Sequence, residues 1–208
     1  MNGLILAKGE KSERLNFDKA FIKFENKKVI EIIIEKISPL FEEIYIVTLS
    51  PYKFRIYENQ KIKIVKDALG CGPLGGIYTG LNISKSIYNF VFACDLPFLD
   101  IDFIKYMMKI EKNYDILVPV YKNKFQLLHS IYSRKIIKTI EDMLNKKKYT
   151  VREILNRVNV KYIPEVEIKN FTKNFNVFFN LNTEDDLKKF LKLERSFYGR
   201  INLCKRSN

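Results

Sequence analysis

Short apolar runs that read as β-strands alternate along this chain with longer segments that carry apolar residues at helical spacing. The clearest strands are Glu43–Thr48, which is rich in β-branched residues, and Asn89–Cys94, which is apolar almost throughout. Lys28–Leu40 is the clearest helix, because its apolar positions recur every three or four residues. Strands without polar alternation are typical of parallel sheets covered on both faces. The pattern therefore predicts an α/β fold with a mostly parallel sheet and right-handed crossovers.

The rest of the chain continues the same alternation. Further predicted strands are Leu4–Ala7, Lys61–Lys66, Asp115–Val120, Leu127–Tyr132 and Val177–Leu181. Further predicted helices are Leu74–Ser84, Ile101–Ile110, Ser133–Lys146, Val151–Asn156 and Thr183–Leu193. Residues 161–176 lack a clean period and read as irregular. We expect one three-layer α/β/α domain over residues 1–194 and a frayed basic tail over residues 195–208.

Charge and cysteine usage narrow the class of protein. Lys and Arg number 37 against 24 Asp and Glu, a net charge of +13. Such a field suits a solvated surface, a nucleic acid or a small polyanion such as a nucleotide. No apolar run approaches the roughly 18 residues of a membrane span, and the N-terminus has no basic leader. The three cysteines, Cys71, Cys94 and Cys204, show no CxxC spacing, so we expect a cytoplasmic protein without disulfides or structural zinc.

The first polar loop follows the first predicted strand. Ala7–Arg14 combines a glycine with Ser12 and basic side chains, and Asp18 and Lys19 come shortly after it. A loop of this kind can point backbone N–H groups and cations at a polyphosphate. An exposed loop with no ligand fits the pattern equally well, and the chain has no P-loop motif.

A second loop is rich in glycine. Gly70-x-Gly72-x-x-Gly75 matches the dinucleotide-binding pattern between a strand and a helix, and Asp95 ends the next strand. This spacing permits an NAD-dependent oxidoreductase. Against it, three residues separate the strand from the first glycine, and Pro73 lacks the N–H that would face pyrophosphate. The alternative is a turn that starts a helix, with glycines that allow close helix–sheet packing.

The third loop begins at Asp95, directly after a buried strand. One carboxylate in this position can hold Mg²⁺ together with phosphate oxygens, or it can serve as a turn or N-cap acid before Pro97. Two neighbouring candidates are weaker. We expect His129 to be a half-buried, hydrogen-bonded residue rather than a base, and Cys94 to belong to the core.

Taken in order, these motifs resemble those of the molybdenum cofactor guanylyltransferase family. The matching positions cover the chain from Leu4 to Leu187. They are Leu6-Ala7-Lys8-Gly9, Ser12-x-Arg14, Asp18-Lys19, Asp67, Gly72-Pro73-Leu74-Gly75-Gly76-Ile77, Cys94-Asp95-Leu96-Pro97-Phe98 and Asn180-Leu181-Asn182-Thr183-Glu184-Asp185-Asp186-Leu187. No single motif is decisive, but four in the same order are specific.

The resemblance implies a Rossmann-like nucleotidyltransferase that transfers GMP from GTP to molybdopterin and releases pyrophosphate. It implies these GTP-binding residues: Leu6, Ala7, Lys8, Gly9, Lys19, Asp67 and Asp95. Asp95 would also ligate Mg²⁺. Arg14, Lys19 and Asp95 would form the catalytic set, and Asn180 and Asn182 would face the pterin. The partners implied are these small molecules, with transient contact with molybdoenzyme maturation proteins, and neither a nucleic acid nor a membrane.

The first loop departs from the family pattern. Lys8 replaces the first glycine of a Gly-Gly pair, one extra residue precedes Ser12, and Leu15-Asn16 stands where the family has Met-Gly. Lysine enters positive φ less readily than glycine, and its side chain can crowd a base. A relative that uses CTP or another acceptor is therefore the alternative within the same class.

Overall fold

The computed structural model of the chain describes residues 1–10, 18–24, 26–171, 176–181, 185–186 and 188–189. Its strands are β1 (Asn2–Leu6), β2 (Lys23–Phe24), β3 (Lys27–Lys28), β4 (Ile44–Thr48), β5 (Ile62–Lys66), β6 (Tyr88–Ala93), β7 (Ile116–Tyr121), β8 (Lys124–Phe125), β9 (His129–Ser133) and β10 (Val160–Ile163). Its α-helices are α1 (Val29–Ile37), α2 (Gly72–Ile83), α3 (Ile101–Lys109), α4 (Ile137–Asn145) and α5 (Glu165–Ile168).

The main sheet has eight strands, and its order is β10-β7-β9-β6-β1-β4-β5, with β8 paired to β7. Strand β1 is central and pairs in parallel with β4 and β6, and β4 pairs in parallel with β5. Strand β9 is antiparallel to both β6 and β7, whereas β10 is parallel to β7. The predicted mostly parallel sheet is confirmed, with β9 inserted as an antiparallel strand and the short β8 antiparallel to β7. The carboxyl ends of β1, β4, β5 and β6 consequently meet at one edge.

Helices cover both faces of this sheet. Neighbouring residues of β1 point to opposite faces: Leu4 packs with apolar residues of α2 and α4, and Ile5 packs with those of α1 and α3. Both side chains are fully buried. The layers are therefore α/β/α, as predicted. Within the described residues, no helix has both the length and the apolar character needed to cross a bilayer.

Glycines on α2 let this helix approach the sheet closely. A Cβ atom on Gly80 would lie 2.8 Å from Cδ1 of Leu4, and one on Gly76 would lie 3.2 Å from Cδ2 of Leu6. These distances confirm the packing interpretation of the second glycine loop. The close approach brings the start of α2 toward the end of β1.

Two predictions for the C-terminal third were wrong. The segment expected to be irregular contains β10 and α5; β10 is an edge strand whose Tyr162 is 45% exposed, so no apolar period marks it. The expected strand Val177–Leu181 is absent, and Asn176–Phe178 forms a 3-10 turn instead. Val177 and Phe178 are adjacent and both buried in one cluster, which alternating strand geometry does not allow.

The remaining boundaries agree closely. The helix predicted over Ser133–Lys146 opens with a 3-10 turn at Arg134–Ile136, and Val151–Asn156 is a 3-10 helix throughout. Residues 185–186 and 188–189 are helical, within the predicted helix Thr183–Leu193. Residues 190–208, including the predicted tail, lie outside the described residues.

Candidate active site

A cavity of about 580 Å³ opens where the parallel strands end. It lies at the carboxyl edge of the sheet, where open α/β sheets bind their ligands. Most of the sequence-predicted nucleotide residues line it, namely Leu6, Ala7, Lys8, Lys19, Asp67 and Asp95. Loops that are far apart in sequence therefore form one site.

The first loop turns sharply at Gly9, which has φ of +72°. A Cβ atom there would lie 2.5 Å from Oγ1 of Thr48, so a side chain is excluded. Lys8 stays outside the left-handed region, and its carbonyl oxygen accepts a hydrogen bond from the backbone N of Leu49 at 3.2 Å. The lysine that replaces a family glycine is thus compatible with the backbone, because the left-handed residue is the second one.

Lys19 and Asp95 form an ion pair at the cavity. Nζ of Lys19 lies 3.0 Å from Oδ2 of Asp95, and both side chains are largely buried. Asp95 does not cap the helix that follows it: the N-cap of α3 is Asp100, which accepts a hydrogen bond from the backbone N of Phe103. Asp95 is therefore not the N-cap of this helix. Its carboxylate faces the cavity beside the Lys19 ammonium.

Asp18 and Lys53 extend this charge arrangement, and sequence reasoning gave neither a role. Asp18 caps the 3-10 turn Lys19–Phe21 by accepting a hydrogen bond from the backbone N of Ala20 at 3.2 Å. Burial raises the pKa of Asp18, and the nearby Lys53 ammonium opposes this rise. Asp18 could have been suspected because it precedes Lys19 in the motif, whereas no local signal marks Lys53.

Asp67 lies at the start of the glycine loop and is 8% exposed. Its Oδ1 atom accepts hydrogen bonds from the backbone N of Leu69 and from Oγ1 of Thr79, both at 3.2 Å. Gly70 and Gly72 then adopt φ of +61° and +67°, and α2 begins. The carboxylate is therefore held in a fixed orientation at the cavity wall.

His129 is not a base for this site. It is 1% exposed and packs against the rings of Phe90, Phe103 and Phe178. Neither ring nitrogen has a hydrogen-bond partner among the described residues, so the expectation of a half-buried, hydrogen-bonded histidine was wrong. Burial lowers its pKa to about 3, and the imidazole is neutral at physiological pH.

Cys94 lines the cavity, but it is a protonated thiol at neutral pH. Burial raises its pKa, and the neighbouring Asp95 carboxylate raises it further. A thiol of this kind is a poor nucleophile. The preference for a packing role over a nucleophilic one is consistent with this environment.

Four predicted site residues are not placed in the cavity. Gly9 is described but is not among the residues that line the cavity. Arg14 and Asn182 lie outside the described residues. Asn180 is half-buried and is not among the described residues that line the cavity. Its neighbour Leu181 donates a backbone hydrogen bond to the carbonyl oxygen of Asp95 at 3.2 Å. The C-terminal segment thus touches the backbone of the third loop.

The side chains available as metal ligands limit how a metal ion could be held. Among the described residues, no group of three or more His, Cys, Asp or Glu side chains is arranged around one point. Asp95 is the cavity carboxylate that follows a central strand. Mg²⁺ is commonly held by one or two carboxylates together with substrate phosphates and waters, so the residues present fit an ion shared with a nucleotide.

Fold and site together define a class: an α/β/α protein with its ligand site at the carboxyl edge of a mostly parallel sheet. Residues 3–162 match the family of the MobA-like NTP transferase domain. The chain belongs to this family and is a nucleotidyltransferase. The family assignment favours nucleotidyl transfer over the dinucleotide-dependent oxidoreductase that Gly70-x-Gly72-x-x-Gly75 permitted.

Relatives agree over nearly the whole chain. A probable molybdenum cofactor guanylyltransferase of Peptoclostridium acidaminophilum is 32% identical over 91% of this chain and 87% of its own length. A molybdenum cofactor guanylyltransferase of Syntrophotalea carbinolica is 30% identical over 91% of this chain and 90% of its own length. The family resemblance drawn from the motifs is thereby confirmed.

A solved structure shows the same fold. The molybdopterin-guanine dinucleotide biosynthesis protein A of Archaeoglobus fulgidus superposes with a TM-score of 0.82 at 24% identity. The match covers 94% of this chain and 100% of that one. The predicted Rossmann-like α/β architecture is confirmed over this length.

Proposed function

We propose that this chain transfers GMP from GTP to molybdopterin and releases pyrophosphate, which forms the guanine dinucleotide form of the molybdenum cofactor. The observation that carries the proposal is the Lys19–Asp95 pair, which faces a cavity bounded by two glycine-containing loops. The relatives named as guanylyltransferases support this substrate pair. Transient contact with molybdoenzyme maturation proteins is a further part of the proposal. The free thiols of Cys71 and Cys94 suit a cytoplasmic setting.

The cavity has the size and the chemistry expected of a nucleotide site. Its volume of about 580 Å³ lies within the range of small-molecule pockets. Ala7 and Lys8 of the first loop line it together with Asp67, which lies at the start of the glycine loop. Apolar side chains of Leu6 and Leu49 add surface for a base.

The chemistry requires little proton transfer. A phosphate nucleophile is largely deprotonated at neutral pH, so positioning and charge neutralisation account for most of the catalysis. Lys19 offers an ammonium to the triphosphate, and Asp95 holds that ammonium in place before the substrate arrives. When Mg²⁺ is bound by Asp95 and the phosphates, it supplies further neutralisation of negative charge. Arg14 is the second cation of this proposal, and Asn180 and Asn182 are its pterin-side residues.

The direct test is pyrophosphate release with molybdopterin and each of GTP, ATP, CTP and UTP. We expect turnover with GTP above the other three nucleotides. Turnover with CTP and none with GTP would contradict the guanine assignment and support the CTP-using alternative. Lack of turnover with all four would contradict the proposed reaction.

Asp95→Ala tests the central residue of the site. We expect a loss of turnover of at least about 100-fold, because the Asp95 carboxylate is both the ion-pair partner of Lys19 and the proposed metal ligand. Glu111→Ala removes an exposed acid and serves as the matched control. Circular dichroism checks that both variants keep the fold. Wild-type activity in Asp95→Ala would exclude Asp95 as the metal ligand.

A further inference from the structure

Lys53 contacts Gly9, within the first loop, and Asp18, which follows that loop. Its ammonium donates a hydrogen bond to the carbonyl oxygen of Gly9 at 2.6 Å and lies 3.7 Å from Oδ2 of Asp18. Lys53 itself comes from a separate element, the 3-10 turn Pro51–Lys53 that follows β4. The Lys53 ammonium therefore links Gly9, in the turn after β1, to Asp18, which precedes Lys19.

The Asp18 carboxylate depends on this cation. Its Oδ2 atom is buried and has no hydrogen-bond donor among the described residues. Among the described residues, the titratable side chains that act on Asp18 are Lys53, which favours the charged form, and Glu10, which opposes it; the Asp18 charge in turn raises the pKa of the Cys94 thiol. A buried carboxylate that loses its neighbouring cation is destabilised until it is protonated or moves.

Asp18 is bonded through the backbone to Lys19, whose ammonium lies 3.0 Å from Asp95. Charges of alternating sign thus run from Lys53 through Asp18 and Lys19 to Asp95. Lys53 is not among the described residues that line the cavity. Its contacts are with Gly9 and Asp18, so the positions of these two residues are where an effect of Lys53 on the site begins.

We propose that Lys53 is a positioning residue for nucleotidyl transfer, because it fixes Gly9 and Asp18 relative to each other and thereby places Lys19 beside Asp95. The inference rests on the proposed role of Lys19 at the triphosphate. Misplacement of reacting groups by about 1 Å can cost roughly 100-fold in rate. A residue outside the cavity can therefore control turnover.

Lys53→Met, which removes the ammonium and keeps an unbranched side chain one atom shorter, tests this role. Turnover is measured with whichever nucleotide the wild-type protein uses best, so a wrong base assignment leaves the test intact. We expect kcat and kcat/KM to fall together by about tenfold or more, with KM little changed. Arg55→Met removes an exposed cation from the next turn and should keep wild-type kcat. Equal kcat in these two variants would overturn the proposal.

A double-mutant cycle separates positioning from a general loss of structure. Asp18→Asn combined with Lys53→Met should cost less than the product of the two single losses, because both act through the same contact. Lys53→Arg keeps the charge and should restore most of the kcat lost in Lys53→Met. Independent effects of Lys53 and Asp18, or no recovery with arginine, would overturn the proposal.

A substrate-free measurement keeps this test separate from the proposed reaction. Carboxyl NMR of Asp18 should show a higher pKa in Lys53→Met than in the wild-type protein, and no change in Arg55→Met. Lys53→Gln keeps a donor for the Gly9 carbonyl but has no charge, and it takes the place of Lys53→Met if that variant does not fold. An unchanged pKa of Asp18 in the neutral variants would contradict the contact even if the protein turned over no nucleotide.

Discussion

At the scale of single residues, Gly9 combines two constraints that other residue types cannot meet. Its φ of +72° lies in the left-handed region, and the space for a Cβ atom is filled by Oγ1 of Thr48 at 2.5 Å. Thr48 is itself fixed, because its Oγ1 accepts a hydrogen bond from the backbone N of Ser50 at 3.1 Å. The turn after β1 therefore requires glycine at this position.

Gly9→Ala should lower the free energy of unfolding by about 2–4 kcal/mol, the sum of left-handed strain and a steric clash. Gly72→Ala is the matched control, since Gly72 has φ of +67° but no atom within 4 Å of the point that a Cβ atom would occupy. Gly72→Ala should lower the free energy of unfolding by about 1 kcal/mol, from backbone strain alone. Urea unfolding measures both variants, and equal losses would show that Thr48 moves aside without cost.

The predicted and the missed site residues differ in the kind of information that marks them. Asp67 and Asp95 directly follow strands, so the topology of a parallel sheet was enough to bring them to one edge. Thr48 ends β4 at the same edge and could have been found by the same rule. Lys53 reaches its partners across more than thirty residues of sequence separation, and a surface lysine carries no local signal for such a contact.

At the scale of elements, α1 holds the loop that carries Asp95. Lys36, in the last turn of α1, donates hydrogen bonds from its ammonium to the carbonyl oxygens of Pro97 and Leu99 at 3.3 and 3.2 Å. These carbonyls lie between β6 and α3, just past Asp95. The helix thus supports the site from one face of the sheet.

Lys36→Met should lower the free energy of unfolding by about 1–3 kcal/mol, because two partly buried carbonyls lose a charged donor. Lys27→Met is the control: Lys27 pairs with Glu35 at 2.7 Å, but both side chains are more than half exposed, so a loss below about 1 kcal/mol is expected. Thermal and urea unfolding compare the two variants. A larger loss in Lys27→Met would contradict a supporting role for Lys36.

The elements that were predicted well are those with a strong internal period or a buried apolar run, such as α1 and β6. The elements that were missed are short or lie at an edge, where packing rather than sequence pattern determines the structure. β10 pairs only with β7 and leaves Tyr162 exposed. The turn at Asn176–Phe178 buries two adjacent apolar residues, which a strand-like composition does not reveal.

At the scale of the whole molecule, the net charge of +13 grows more positive as carboxylates protonate in acid. Self-repulsion then weakens the compact state. His129 adds a specific contribution, because burial holds its pKa at about 3, well below the ordinary value of 6.5. The unfolded chain therefore binds a proton at His129 between these two pH values, whereas the folded chain does not.

The sign of this effect follows from proton linkage. Well above pH 6.5 His129 is neutral in both states and contributes no pH dependence. As the pH falls through about 6.5 toward 3, His129 removes stability at up to about 1.4 kcal/mol per pH unit. His129→Met replaces the imidazole with an apolar side chain of similar size among the same phenylalanines. In the variant, the unfolding free energy should lose the part of its pH dependence that comes from His129 and keep the part that comes from carboxylates and net charge.

Unfolding free energies of wild type and His129→Met, measured by urea from pH 7 to pH 4, isolate the contribution of one imidazole. We expect the difference in stability to widen steadily below pH 6.5 in favour of the variant. At pH 7 the variant should be at least as stable, because two buried ring nitrogens without partners among the described residues are removed. Parallel curves would mean that the folded protein accepts the proton at His129, which the surrounding rings of Phe90, Phe103 and Phe178 oppose.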